Sequence, residues 1–492
     1  MTTAEQDRLV EVETVEAPAA ERAPIGAEKT FRAYDPDQVL LMAPVLRDWV
    51  PDGDLAHFVA DLVDSGALDL SGIYAAYEEQ RGFPPYDPRL MVKLLVYGYA
   101  NGVTSSRKLE RASYRDVAMR MLCADQHPDF RSIGRFRERH LHALGELFVQ
   151  ALRLCKQARL VGLGVLAVDG TKLRANASRH KAMSYERIGR KQAQLEAEIA
   201  ALRAQVDAVL ADAQATDQAE DEAFGADRRG DELPDELQRR ESRLAVIQQA
   251  KAALEAEAEA AETARRAELE ERGKTPRNPP GGRDPFAPKP KAQRNFTDPD
   301  SRIMKTSDGA FHQCYNGQAI VDSTTQVIVA CELSDQAPDA RLLEPALDQL
   351  DANLDAIDAR LPDDAALLGD AGYFSAHNIL ITSKHGLDPH IATGRFKHSE
   401  PPAPALRGPI PKNATPKQLM ARKLKKKAGA AAYARRKTIV EPVFGQLQTV
   451  QDARQLRLRG KPAARAQWRF NCAIHNLLKL HRNGGLALIP TG

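Results

Sequence analysis

Between Tyr185 and Arg272 the chain carries a pattern that neither a sheet nor a mixed core accommodates. Ile188, Leu195, Ile199, Leu202, Val206 and Val209 recur at heptad-like intervals. After the polar stretch ATDQAEDEAFGADRRGDELP a second seam follows at Leu237, Leu244, Ile247, Leu254, Ala258 and Ala261. A narrow apolar stripe on a long charged helix is buried only against a second such helix. The segment is therefore predicted to be two long helices joined by a polar loop, an antiparallel hairpin of coiled-coil type. The Pro/Gly-rich basic linker GKTPRNPPGGRDPFAPKPKAQRN follows it. With the linker the insertion spans 184–295, and the fold on either side must be one that tolerates interruption.

Charge separates along the same boundary. Residues 185–272 hold 22 acidic and 13 basic side chains, a net of −9, whereas the whole chain is +2; the remainder carries +11. A basic body with an acidic appendage points to a polyanionic partner for the body. The five cysteines, Cys123, Cys155, Cys314, Cys331 and Cys472, are widely spaced and form no CxxC pair. That argues against a zinc ribbon or a disulfide framework and for reduced thiols in a cytosol. The acidic start lacks the apolar stretch of a signal peptide, and no run approaches the 18 apolar residues of a membrane span. A cytoplasmic protein without a membrane partner is expected.

Residues 1–30, rich in Ala, Glu and Pro, are predicted to be a disordered tail. Residues 31–160 read as an all-α domain. PRLMVKLLVYGYANG has helical apolar spacing and an Asn-Gly stop, and DFRSIGRFRERHLHALGELFVQAL brings Arg135, Arg137 and Arg139 to the start of a helical run. Short helices with basic starts suit a helix-turn-helix-like DNA reader, and equally a plain bundle with a solvated face. After the linker, β-like HQCYNGQAIVDS and QVIVACELS precede helical ARLLEPALDQLDANLDAI. A buried strand AALLGDAGYFS, a helix capped by Ser375 and a short strand PHIATG follow. That alternation predicts an α/β core assembled from 161–183 and 296–480, with 481–492 as a tail.

The glycines of GLGVLA imitate a dinucleotide fingerprint, but a helix precedes them and a strand follows, the reverse of what such a site requires. The acids are more informative. Asp169 closes the apolar run VLAV, Asp370 closes AALLG, and Glu441 stands among apolar residues in ARRKTIVEPVFGQLQ. Strand ends and a neighbouring helix can gather three such carboxylates around two hard cations about 3.5–4 Å apart, a spacing suited to in-line attack on a phosphodiester. Isolated turn-forming acids are the competing explanation. Favouring the former, eleven basic residues and no acid lie between Arg407 and Lys437, with Lys425, Lys426, Lys427, Arg435, Arg436 and Lys437 among them. Such a run draws in phosphates.

Taken together, PYDPRLMVKLLVYGYANGVTSSRKLE, VDGTKLRANAS, DPDSRIMK, YNGQAIVD, GDAGYFS, RRKTIVEPVFGQL and NCAIHNLLKL resemble, in this order, the DDE transposases of bacterial insertion sequences. The likeness is greatest to the insertion sequence 1182 family, which is related to the insertion-sequence 4 and 5 groups. The resemblance covers most of residues 31–480. It implies an RNase H-like catalytic core, with Asp169, Asp370 and Glu441 as catalytic, metal-binding residues for two Mg²⁺ ions, Mn²⁺ being a substitute. The implied enzyme binds terminal inverted repeats of double-stranded DNA, cleaves the 3′ strands and transfers them to target DNA. It would act as a homodimer on DNA and need no small-molecule substrate; the alternative is an inactive or domesticated relative that binds without cutting.

The related groups carry a Tyr-x2-Arg-x3-Glu-x6-Lys signature. Tyr433 and Arg436 fit its first half, but the step to Glu441 is one residue longer and Gln448 stands where the lysine is expected, leaving Lys437 or Arg454 to replace it. Gly170 is read as admitting a DNA backbone, and Trp468 either as stacking on an extruded base or as core. The insertion serves dimerisation and synapsis, or is a tolerated surface excursion.

Overall fold

The computed structural model describes residues 45–77, 84–177, 182–220, 232–271, 273–279, 282–394, 408–411 and 413–489, with side chains omitted at 205–220 and 232–237. The tail expected at 1–30 and Arg407 and Lys412 of the basic run lie outside these residues.

From Leu55 to Gln157 the described chain forms α1 (Leu55–Asp64), α2 (Ser71–Tyr74), α3 (Pro88–Ala100), α4 (Ser106–Arg115), α5 (Val117–Leu122), α6 (Phe130–Arg139) and α7 (Leu141–Gln157). Asp54, Asp87, Asp116 and Asp129 each precede a helix and accept a backbone N–H of its first turn, meeting donors that have no partner within the helix. Helix α3 is buried on nearly every side from Leu90 to Ala100, which makes it the central member of the group. It stops at Asn101-Gly102 as its sequence predicts. Gly102 has φ +73°, and a Cβ there would approach the Val450 carbonyl oxygen to 2.7 Å. Both conformation and space therefore demand glycine.

The next elements are β1 (Val165–Arg174), β2 (Ala182–Ser184), α8 (Tyr185–Glu220) and α9 (Glu232–Glu271). Strands β3 (Gln293–Asn295), β4 (Arg302–Lys305), β5 (Phe311–Asp322) and β6 (Ile328–Ser334) lead to α10 (Leu343–Ala356). After β7 (Ala366–Gly369), α11 (Ala376–Lys384) and β8 (Asp388–Ile391) come α12 (Pro416–Lys425), α13 (Lys427–Ala434), α14 (Arg436–Thr449) and α15 (Lys461–Arg482). Ser375 caps α11 as expected, its Oγ accepting from Asn378 N at 2.9 Å.

Strand β1 is central in a mixed sheet of order β4-β5-β1-β7-β8, with β6 also on β5. It runs antiparallel to β5 from Leu166↔Asp322 to Arg174↔Cys314, and parallel to β7 only from Val165↔Ala366 to Ala167↔Leu368. The expectation that Asp169 ends its strand is thereby corrected. The twelve-residue β5 holds β1 extended to Arg174, and what ends near Asp169 is the parallel neighbour. Among the described residues, that edge of β1 pairs again beyond Ala167 only at Arg174, whose N–H donates to the Arg454 carbonyl at 2.9 Å.

Helix α15 binds the sheet to the helices before it. Asn476 clasps the backbone of Ile328, its Nδ2 donating to Ile328 O and its Oδ1 accepting from Ile328 N, both at 2.8 Å. Cys155 Sγ on α7 reaches the Asn476 carbonyl at 3.4 Å. Trp468 is fully buried and its indole N–H donates to Gln318 O at 3.2 Å, so it is core and does not stack on a base. All five cysteines are buried, and burial pushes the thiols of Cys123, Cys155 and Cys314 up to about 12. Among the described residues no helix is long and apolar enough to cross a membrane.

Tyr185 at the start of α8 meets Glu255 (2.7 Å) late in α9, whereas Glu198 and Arg203 further along α8 meet Arg240 (3.3 Å) and Glu241 (2.6 Å) early in α9, so the two helices run in opposite directions. Ile188, Leu195, Ile247 and Leu254 of the anticipated seams are buried in a small core of their own with Ala250. Ile199 is buried as well, Leu202, Leu244 and Ala258 are half-buried, and Ala261 is exposed. The seam positions Val206, Val209 and Leu237 lie outside the described side chains. The segment departs and returns through the antiparallel pair β2–β3, with Ala182 opposite Asn295.

His475 on α15 is fully buried and bonded through Nε2 to the Gln326 carbonyl at 2.9 Å. Burial lowers its pKa to about 3, reinforced by the charges of Lys479 and Arg482. The folded state thus refuses a proton that the unfolded chain takes up below about 6.5. Its stabilisation is complete above that pH and is lost as pH falls toward 3, by up to about 1.4 kcal/mol per pH unit. Denaturant unfolding of the wild type should show this slope, and His475→Gln should lack it.

Candidate active site

Asp169 points from β1 toward α14. Its Oδ1 accepts the Gly170 N–H at 2.8 Å and its Oδ2 meets Arg436 Nη1 at 2.9 Å, with side chains 26% and 12% exposed respectively. Burial raises the Asp169 pKa, against the Gly170 N–H and the Arg436 charge; the neighbouring charge of Asp370 raises it further. Asp370 follows β7 and caps the turn Ala371–Tyr373, its Oδ1 accepting from Gly372 N at 2.7 Å. Tyr433 adjoins the same group: burial raises its phenol pKa, the Arg436 charge lowers it and that of Asp370 raises it. Two mutually repelling carboxylates, one guanidinium and one phenol therefore converge where β7 ends.

Strand alternation puts Gly170 and Lys172 on the opposite face of β1. A Cβ on Gly170 would collide with Gln318 Nε2 and come within 3.1 Å of Asn316 Oδ1 and 3.2 Å of Asp339 Oδ1. The glycine makes room for side chains of its own chain, and it also lines the cleft described below. Asp339 Oδ1 accepts from Asn316 Nδ2 at 2.7 Å and from Gln318 Nε2 and Lys172 Nζ at 3.1 Å each. Fully buried Tyr373 completes this layer by donating its hydroxyl to Gln318 Oε1. Burial drives its pKa far up, helped by the charges of Asp339, Asp169 and Asp370. Sequence reasoning did not single out these residues. The available signal was Asn316 and Gln318 at i, i+2, on one face of a strand that is buried from Gln313 to Asp322.

Glu441 lies on α14 but is exposed, and among the described residues it makes no hydrogen bond or ion pair. Nor does any group of three His, Cys, Asp or Glu among them stand within reach of one metal ion. Glu441 and Gln448 are seven residues apart and share a helix face; Gln448 Nε2 donates to Thr171 Oγ1 of β1 at 2.6 Å. Past Asp169 the unpaired edge of β1 opens into a cleft of about 610 Å³ whose lining includes Thr171, Lys172, Arg174, Gln448, Arg454 and Arg457. Arg174 is paired with Asp308 (2.6 Å) and Arg457 with Asp452 (2.9 Å), whereas Arg454 donates from Nε to the Gln448 carbonyl at 3.1 Å. Of the two replacements for the missing lysine, Arg454 lies in this cleft and Lys437 is exposed on the first turn of α14.

The other anticipated cations divide by burial. Lys426, Lys427 and Arg435 are exposed and Lys425 is half-buried. Arg135 is exposed, but Arg137 is buried and donates to Tyr99 Oη and Thr104 O, both at 2.9 Å, and to Ser106 Oγ. Arg137 therefore braces the corner between α3 and α4 and offers no charge to a ligand, contrary to expectation. The guanidinium of Arg139 lies 4.5 Å from the centre of the Tyr77 ring and donates to Ala76 O. Exposed Arg107, Lys108, Arg111 and Arg115 give α4 the basic outer face that the stretch TSSRKLERASYRDVAMRMLC suggests.

If Gly170 serves the internal layer, Gly170→Ala should destabilise the protein by about 1–3 kcal/mol, read as a lower denaturant midpoint at unchanged slope. Unchanged stability with weakened DNA binding would favour the backbone-approach reading instead.

Comparison with known families accords with this geometry. Residues 44–139 match the family described as Transposase domain (DUF772), and residues 285–477 match the Transposase DDE domain. No curated protein and no solved structure matches the chain. The two matches, in this order along one chain, indicate a DDE transposase of the insertion-sequence 4 and 5 type.

Proposed function

We propose that the protein is a transposase of the insertion sequence 1182 family. In this reading it binds terminal inverted repeats, cleaves the 3′ strands and joins them to target DNA. The observation that carries the reading is the adjacency of Asp169, Asp370 and Arg436 beside a cation-lined cleft on the open edge of β1. The mixed sheet, antiparallel on one side of β1 and parallel on the other, supports an RNase H-like core. The antiparallel contacts of α8 and α9 support an inserted helical hairpin of coiled-coil type, offered to dimerisation and synapsis of two DNA ends.

All-oxygen donors fit a hard divalent cation, and the repulsion between Asp169 and Asp370 is the electrostatic condition such an ion relieves. Asp169 and Asp370 would hold Mg²⁺, with Glu441 as the third ligand from α14. When bound, two such ions supply activation of water or a 3′-hydroxyl and stabilisation of the leaving oxygen. The remaining work belongs to the chain. Strand β1 fixes Asp169, the turn after β7 fixes Asp370, and Arg436 balances their charge. Arg454, with Arg174 and Arg457 beside it, draws the flanking phosphates along the cleft. Lys425, Lys426, Lys427, Arg435 and Lys437, with Arg135 and the exposed face of α4, are assigned to the DNA further out.

The test uses a labelled duplex containing the DNA that flanks this gene, incubated with protein and Mg²⁺, with Ca²⁺ as control. The expected result is a Mg²⁺-dependent nick at a repeat boundary. Asp169→Asn and Asp370→Ala should abolish it while end binding persists. Arg454→Ala should weaken binding of all duplexes and reduce the salt dependence by about one released counterion. Specific binding without a nick would favour a relative that binds only. Neither binding nor nicking would overturn the transposase reading.

A further inference from the structure

We propose that Asp339 is a positioning residue for the carboxylate pair, holding the Asp370 turn against β1; the inference rests on the transposase reading and adds a residue to its site. Asp339 follows β6, far in sequence from either aspartate. Its Oδ1 is held by three donors from two strands: Lys172 on β1, and Asn316 and Gln318 on β5. These belong to adjoining cross-strand pairs, since Gly170 faces Gln318 and Lys172 faces Asn316. The carboxylate is thus fastened to β1 through Lys172 and to the β5 residues that face Gly170 and Lys172.

Its other oxygen looks the opposite way. The position of a Cβ on Gly372 lies 2.9 Å from Asp370 Oδ1 and 3.5 Å from Asp339 Oδ2. One small gap, kept open by glycine, separates the two acids. Tyr373, next in the turn, donates to Gln318, whose Nε2 is bonded to Asp339, so the turn is tied to the Asp339 carboxylate through one shared side chain. A negative charge so close to Asp370 is costly unless it is needed, because like carboxylates repel. Lys172 offsets part of that cost at Oδ1, leaving Oδ2 directed toward the turn. The arrangement fixes the direction of Asp370 and adds to the local demand for a cation without requiring Asp339 to touch substrate.

The deciding experiment compares wild type, Asp339→Asn and Asn316→Ala by three measurements: Mn²⁺ binding by calorimetry on the free protein, nicking of the end duplex against Mg²⁺ concentration, and thermal unfolding. Asp339→Asn is expected to weaken Mn²⁺ binding about tenfold and raise the Mg²⁺ needed for half-maximal nicking by a similar factor, with affinity for the duplex unchanged. Asn316→Ala, which removes one donor and leaves the charge, should shift both in the same direction by less, and it carries the test if Asp339→Asn does not fold. Variants that bind Mn²⁺ and nick like an active wild type would overturn this inference alone, as would lower thermal stability with metal affinity intact. A wild type that neither nicks nor binds Mn²⁺ would overturn the transposase reading and this inference with it.

Discussion

The unequal reach of the two strands beside β1 is the constraint on which the site depends. Antiparallel β5 accompanies β1 to Arg174, whereas parallel β7 leaves it after Ala167. An extended strand held firmly on one side and released on the other presents ordered side chains beside an open edge. Asp169 is the second residue past the release, and Asp370 begins the turn by which β7 departs. Open backbone groups at a sheet edge must be covered or put to use. Here α14 crosses above them through Arg436 and Gln448, and the segment 454–456 closes the far end.

The two faces of β1 divide the labour. One bears Asp169, Thr171 and Leu173 toward α14 and α15; the other bears Gly170 and Lys172 toward a hydrogen-bonded layer of Asn316, Gln318, Asp339 and Tyr373. Buried polar layers hold one geometry when every member is satisfied and tolerate little change. A rigid underside is what a pair of repelling carboxylates needs, since their mutual charge would otherwise turn the side chains apart.

Much of this was legible in the sequence, and the reasons differ by element. Helix α3, β5, α10 and the Ser375 cap follow from periodicity and capping chemistry that act over a few residues. The apolar run before Asp169 announced a strand, but its end did not, because extension past Asp169 is imposed by β5, about 150 residues away in sequence. Arg137 looked like its neighbours Arg135 and Arg139; only packing shows that it faces Tyr99 and Thr104 and not solvent. Asp339 was invisible for the same reason, as its donors come from two different strands, one of them β1 far back in the chain. Gly170 could not be assigned from sequence alone, because a missing side chain reads alike whether the space belongs to a ligand or to the protein.

The strands at the base of α8 and α9 bear on how the body tolerates so large an excursion. Ala182 pairs with Asn295, so the points of departure and return are fixed beside each other however much chain lies between. Closing a flexible loop costs entropy that rises with the logarithm of its length, but two long helices bound face to face at a paired base do not behave as a flexible loop. For the sheet, the insertion is topologically a tight turn, and its length is free to drift without altering the alignment of β1 and β5.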